Sequence, residues 1–379
     1  MMDFERFTNE IAENIKMYLP PEYAGAEVDL QKVIKNNDME LTGIMIRDGV
    51  SNITPNIYLD GYYDKYIDGV DMENIMQAIA NVRVRGERAD DLNINMFKDL
   101  DLVKDKIVCK LVNEEMNTEY LKNKPYTKME DLAVIYAIDL GGSEFGHMTT
   151  PITQKIMQDY GINKEELHKI AMDNLANSQI EFKSLRDVLV EMMFPDGISE
   201  DDPRMCMLPP EEETPTLYVL SNQDNVNGAS AMLDSKTMES ISEQLGGDFI
   251  ILPSSLHEVL ITPVTDRVDR RMLEDIVRNV NSSEVAPEDR LSDNVYMYDS
   301  VEKELVLADK MEERRQQREE AKLDAKQERP DKADRSDRKP ERERVSMKEK
   351  IAEKKAIVTK NEATREHPVV NKARDTALA

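Results

Sequence analysis

Tryptophan is absent from this 379-residue chain, cysteine occurs twice and histidine four times. Cys109 and Cys206 are too few and too far apart for a disulfide framework, and neither belongs to a C-x-x-C or Cys/His spacing that would hold zinc. His147 follows a glycine-rich turn, His168 falls in a helical pattern, His257 lies between two apolar runs and His367 is near the C-terminus. None stands at ligand spacing from another, so no metal is expected. Also missing are the phosphate-cradling GxxxxGK[ST], GxGxxG, the GxSxG elbow, HExxH and an EF-hand loop, and no cofactor is expected. No apolar run approaches about 18 residues, so nothing reads as membrane-spanning. The first residues, MMDFERFTNEIAENIK, are acidic and amphipathic, unlike a signal peptide. A cytoplasmic location is the expectation.

What is present is methionine, at 23 residues, and charge. Methionine fills irregular gaps, which fits either a Met-rich core or a Met-lined binding surface. From Lys310 onward the chain holds 21 Lys+Arg and 16 Asp+Glu, leaving 29 basic and 60 acidic residues before it. An acidic body with a mildly basic tail repels nucleic acid by itself and also suits imitation of DNA.

Periodicity divides the chain. Phe4, Phe7, Ile11, Ile15 and Tyr18 predict a helix over 3–18, stopped by Pro20-Pro21. Alternation over 27–47 around Asn36-Asn37-Asp38 predicts a hairpin. A strand near Ile57–Leu59 and a helix capped by Asp71 complete an α-β-β-β-α unit over 1–85. The polar stretch from Val82, VRVRGERADD, reads as a joint. A middle α+β unit over 86–195 carries strands at Ile107–Val112 and Leu132–Ile138. It adds a helix at 163–177 with an Asn163/Glu166 capping box, and another at Ser184–Met193. A Pro- and acid-rich linker, 196–216, includes Glu211–Glu213.

A C-terminal α+β unit, 217–309, carries strands at Leu217–Leu220, Phe249–Leu252 and Val259–Ile261. Helices at Ser235–Leu245 and Arg267–Val280 and a hairpin over Val295–Leu307 complete it. The tail, 310–379, reads as helical, then disordered. The fold class is therefore α+β: mixed or antiparallel sheets with flanking helices in two or three compact units, plus the charged tail.

The stretch LPSSLHEVL, 252–260, collects Ser254, Ser255, His257 and Glu258 between two apolar runs. In an extended segment Ser255 and His257 project to one side with Cβ atoms about 7 Å apart, which allows a nucleophile–base pair. Glu258 points the other way, so an acid from elsewhere would have to orient the base. The competing reading is a turn in which the serines cap main-chain groups. Gly141-Gly142 reads as a bend after a buried strand. Tyr58, Tyr62, Tyr63 and Tyr66 offer a stacking platform, but Asp60, Asp64 and Asp68 favour packing with wet hydroxyls. In the tail, Ser346 and Glu349 form a capping box, with Met347, Ile351 and Val358 on one face, a short helix suited to docking on an unknown protein partner.

VIKNNDMELTGIMIRDGVSNITPNIYLDGYYDKYIDG, MEDLAVIYAID and LSNQDNVNGASAMLDSKTMESISEQLGGDFIILPSSLHEVLI together resemble an uncharacterised domain-of-unknown-function family of Gram-positive gut bacteria, often encoded on conjugative or mobile elements. A more distant likeness to a family of spore-forming relatives involves Glu165-Glu166-Leu167-His168 and Gly246-Gly247-Asp248. The resemblance implies an intracellular setting and a shared fold, without an activity. The leading expectation is an accessory, non-enzymatic interaction protein. The alternatives are an acidic DNA mimic that blocks restriction and a hydrolase using Ser255 and His257.

Overall fold

Asp3 accepts a hydrogen bond from the Arg6 N–H at 2.8 Å and opens helix α1 (Phe4–Asn14), whose apolar stripe is continued by a 3-10 turn at Ile15–Tyr18. This computed structural model describes residues 2–49, 54–85, 97–143, 146–199, 202–204, 217–265, 270–311, 313, 314, 316 and 317. The chain divides into two units, Met1–Glu319 and Glu320–Ala379, and every described residue belongs to the first. Cys206, His367, Glu211–Glu213 and the Ser346–Val358 segment lie outside the described residues.

The first sheet pairs β1 (Glu27–Ile34), β2 (Glu40–Arg47) and β3 (Asn56–Tyr58), all antiparallel. α1 and α3 (Met72–Arg85) close a core over it that holds Phe7, Ile11, Ile44, Ile46, Ile75 and Ile79. The tyrosine-rich stretch forms a helix, α2 (Asp60–Ile67), that the spacing did not announce. Its Tyr63 and Tyr66 rings pack on Phe7 at 5.2 and 5.3 Å, and their hydroxyls bond the main chain of Met2. The joint expected from Val82 begins later, because α3 runs on to Arg85. Arg83 is fully buried: its Nε donates to the Ile46 carbonyl at 2.7 Å, its Nη2 pairs with Asp48 and its plane lies over Tyr23. An arginine so paired can stay inside a helix face that composition reads as a polar break.

The second sheet is built on β6 (Leu132–Ser143). β4 (Ile107–Asn113) takes one edge, while β5 (Tyr126–Met129) and β7 (Gly146–Pro151) share the other in tandem. Helices α4 (Leu100–Val103), α5 (Gln154–Asp159) and α6 (Lys164–Leu175) flank it, and both bonds of the Asn163/Glu166 capping box form at 2.9 Å. β8 (Ile180–Ser184) precedes α7 (Leu185–Met193), and β9 (Tyr218–Asn222) follows the 196–216 stretch. β8 and β9 pair over their whole length, so the two sides of that stretch meet in one sheet.

The third sheet, of six strands, runs β13-β12-β10-β11-β9-β8. Its remaining elements are α8 (Ser235–Leu245), β10 (Phe249–Leu252), β11 (Val259–Pro263), α9 (Arg270–Ser283), β12 (Tyr296–Asp299) and β13 (Glu304–Leu307). β10 is buried on both faces: Phe249 and Ile251 join the core shared with the second sheet, and Ile250 and Leu252 the core under α9. Four such side chains contribute about 1.5–3 kcal/mol each, which explains an apolar run without alternation. The fold is α+β. Among the described residues no helix is long and apolar enough to cross a membrane.

Polar side chains at turn tips join the sheets. Asn37, left-handed at φ 59°, donates from Nδ2 to the Pro287 and Arg290 carbonyls at 2.7 and 2.9 Å and accepts from Asn117 Nδ2 at 3.1 Å. Asp38 accepts from the Thr118 hydroxyl and from the Glu119 and Tyr120 N–H groups. Partial burial pulls its carboxyl upward, but these donors prevail and hold it below the ordinary carboxylate range. Asn37→Gly keeps the backbone conformation and removes the side-chain bonds. It is expected to lower unfolding free energy by about 2–3 kcal/mol, at roughly 1 kcal/mol per bond, read from the urea midpoint.

Candidate functional site

Pro253 ends β10, and the chain from Ser254 to Glu258 is a bend before β11 rather than an extended strand. Its main chain is bonded on both sides. Pro253 and Ser254 carbonyls accept from Ser292 and Leu291 N–H groups, the Leu256 N–H donates to Asp289, and the Leu256 carbonyl accepts from Ala229. The Ser255 hydroxyl, 6% exposed, accepts the His257 N–H at 3.0 Å. The His257 imidazole accepts the Asn227 N–H on Nδ1 at 3.3 Å, and Nε2 faces Asp289 Oδ1 at 3.3 Å. That geometry fits the tautomer protonated on Nε2. An acid does orient His257, but the nitrogen it leaves is spent on a main-chain N–H, and Ser255 Oγ is bonded to the backbone. Ser254 contributes its carbonyl, and Glu258 is half-buried just before β11.

The segment braces the loop after β9. Ser221 Oγ donates to the His257 carbonyl at 2.7 Å. Gly228 lies so close that a Cβ there would sit 2.1 Å from Ser221 Oγ and 2.4 Å from the His257 carbonyl oxygen. Asn225 and Asn227 take left-handed φ values of 51° and 54°, which asparagine tolerates better than most side chains. Asn222 closes the loop by bonding Val226 through both side-chain atoms.

This loop is one wall of a cavity of about 640 Å³. β4 and the C-terminal end of α6 form the opposite wall. The floor carries Lys110 on β4, whose amine donates to Thr149 Oγ1 at 2.7 Å. Burial, then the nearby Lys35 charge, pushes this amine down to about 8, partly offset by Asp139. Asp105 and Asp224 are exposed at the rim, while Asp139 is half-buried within. Neighbouring Cys109 is a buried free thiol raised to about 12 by burial, so it is an inert packing group rather than a nucleophile.

Two further polar groups stand apart. Tyr136 bonds His168 Nδ1 at 2.9 Å and Thr127 at 2.7 Å, and burial lowers the imidazole and raises the phenol to about 12. Among the described residues no three His, Cys, Asp or Glu side chains gather as a metal set. Sequence reasoning marked Ser254–Glu258 and missed Lys110, whose signal was faint: a lysine inside an otherwise apolar strand, IVCKLV.

Two measurements follow from this geometry. Ser255→Ala is expected to lose about 1–3 kcal/mol of stability in denaturant unfolding, because it strands the partly buried His257 N–H. Lys110 has a folded pKa below its unfolded value, so the folded state binds fewer protons between about pH 8 and 10.5, and stability rises with pH across that window. Lys110→Met is therefore expected to gain about 1–2 kcal/mol at pH 7. The gain should shrink toward pH 10.5 when both proteins are unfolded in urea across pH.

No curated protein and no solved structure matches the chain. A family model does, over residues 4–300, a span that holds every strand of the three sheets except β13. By that match the chain belongs to the DUF5688 family, a family of unknown function.

Proposed function

We propose that this protein works by binding a protein partner, as an accessory interaction protein, rather than by covalent catalysis at Ser254–Glu258. The observation that carries the reading is the end of the third sheet. β8 is its edge strand, and α7 beside it buries none of its residues. Leu185, Val188, Leu189 and Met192 recur at helical spacing on α7, with Met192 73% exposed. The Phe182 and Tyr218 rings stack at 4.8 Å on the adjoining strands and are only half-buried. An apolar helix face next to a strand edge that is unpaired among the described residues is a surface that a partner covers. The bacterial mobile-element setting rests on the sequence resemblance, and docking through Ser346–Val358 rests on the pattern of that segment.

The hydrolase reading asks for a serine hydroxyl handed to a free imidazole nitrogen. Ser255 and His257 instead bond the main chain. The DNA-mimic reading keeps only the acidity of the body.

The test is affinity capture from a bacterial lysate with three baits: the parent, a Val188→Asp/Met192→Asp double variant, and a chain ending at Asp309. A captured protein lost with the double variant is expected. One lost only with the truncated chain would move the contact to the tail, and identical captures from all three baits would overturn the proposal.

A further inference from the structure

The cavity between β4 and the Asn222–Ala231 loop has a use that protein docking at α7 leaves untouched. Its charges are set at two depths. Lys110 is the one cation among its lining residues and lies inside along with the half-buried Asp139, while the carboxylates of Asp105 and Asp224 are exposed at the rim. Among the described residues the Lys110 amine has one hydrogen bond, to Thr149, and no ion pair. Asp139 and Lys35 act on it only at longer range, with opposite sign. A half-buried amine without an ion-pair partner is unfavourable when protonated, and an anionic group brought into the cavity removes that penalty.

A simple anion would meet the rim carboxylates, and a simple cation would leave Lys110 uncompensated. A molecule with a carboxylate at one end and an ammonium at the other matches both depths. The walls add amide and hydroxyl groups from Asn177, Gln179, Asn227 and Ser230. The edge of β4 adds main-chain groups. The Glu114 N–H bonds the Asp131 carbonyl, so the even-numbered residues of β4 pair with β6, and odd-numbered Cys109 turns its N–H and C=O to the free edge. Ile107, of the same parity, meets Asn174 there at 2.8 Å. A peptide unit matches that donor and acceptor, and the cavity volume exceeds that of one amino acid.

We infer that this cavity binds a short peptide with free termini, its C-terminal carboxylate held at Lys110 and Thr149 and its ammonium end at Asp224 and Asp105. The full chain is incubated with a mixture of randomised tripeptides with free termini, with the same mixture C-terminally amidated, and with the same mixture N-acetylated. Protein-bound peptide is separated by size exclusion and quantified by mass spectrometry. Alanine, succinate and inorganic phosphate serve as competitors.

Free tripeptides are expected to be retained, and amidation is expected to cost about tenfold in affinity, the loss of one charge-assisted contact. N-acetylation is expected to weaken binding less, because the rim is exposed. Lys110→Met should abolish retention while Lys110→Arg preserves most of it. Asp224→Asn, at an exposed position where folding is not at stake, should remove the preference for a free N-terminus. Equal retention of free and amidated peptides, full displacement by succinate or phosphate alone, no retention from any mixture, or unchanged binding by Lys110→Met would each overturn the assignment.

Discussion

The Asp131 carboxylate ties two sheets that share no strand. It sits at the tip of the β5–β6 hairpin and accepts from Ser292 at 2.8 Å, from Asn294 at 2.9 Å and from the buried Tyr296 hydroxyl. Tyr296 belongs to the third sheet, and its phenol is pushed upward first by burial and then by the Asp131 charge. A carboxylate inserted among these donors of the facing segment is costly to place anywhere else, so the hairpin tip has one docking position. The same logic repeats at Asn36–Asp38, where side-chain amides reach the carbonyls of Pro287, Glu288 and Arg290. The segment 286–292 therefore receives the first sheet on one side and Ser254–Glu258 on the other.

This arrangement gives LPSSLHEVL a physical reading. Its polar residues are near in sequence but act outward, each on a different neighbour: Ser255 on its own turn, His257 on Asn227 and Asp289, and its carbonyl on Ser221. The result is a fixed wall for the cavity containing Lys110. Such a wall is pre-formed, and a ligand that meets it loses less ordering entropy than one that must arrange a mobile loop.

Elements whose signals are local were legible in the sequence. The Asn163/Glu166 box, the Asp71 cap and the Asn36–Asp38 turn all stand where their chemistry predicts. Elements that depend on distant partners were not. β8 is short and carries Glu181 and Lys183, and only its pairing with β9 makes it a strand. α2 is amphipathic only once Tyr63 and Tyr66 have Phe7 to face. Lys110 reads as an ordinary alternating position until the loop after β9 and the end of α6 fold over it, and no local pattern encodes that closure.

The pairing of β8 with β9 changes what the stretch between them means. The Leu185 N–H bonds the Leu217 carbonyl at 2.8 Å, so the chain leaves the sheet and returns to it through one hydrogen bond. Everything between is an excursion with anchored ends. Doubling its length would cost only about 0.6 kcal/mol of closure entropy. Insertions there can accumulate over evolutionary time without disturbing the register of β8 on β9.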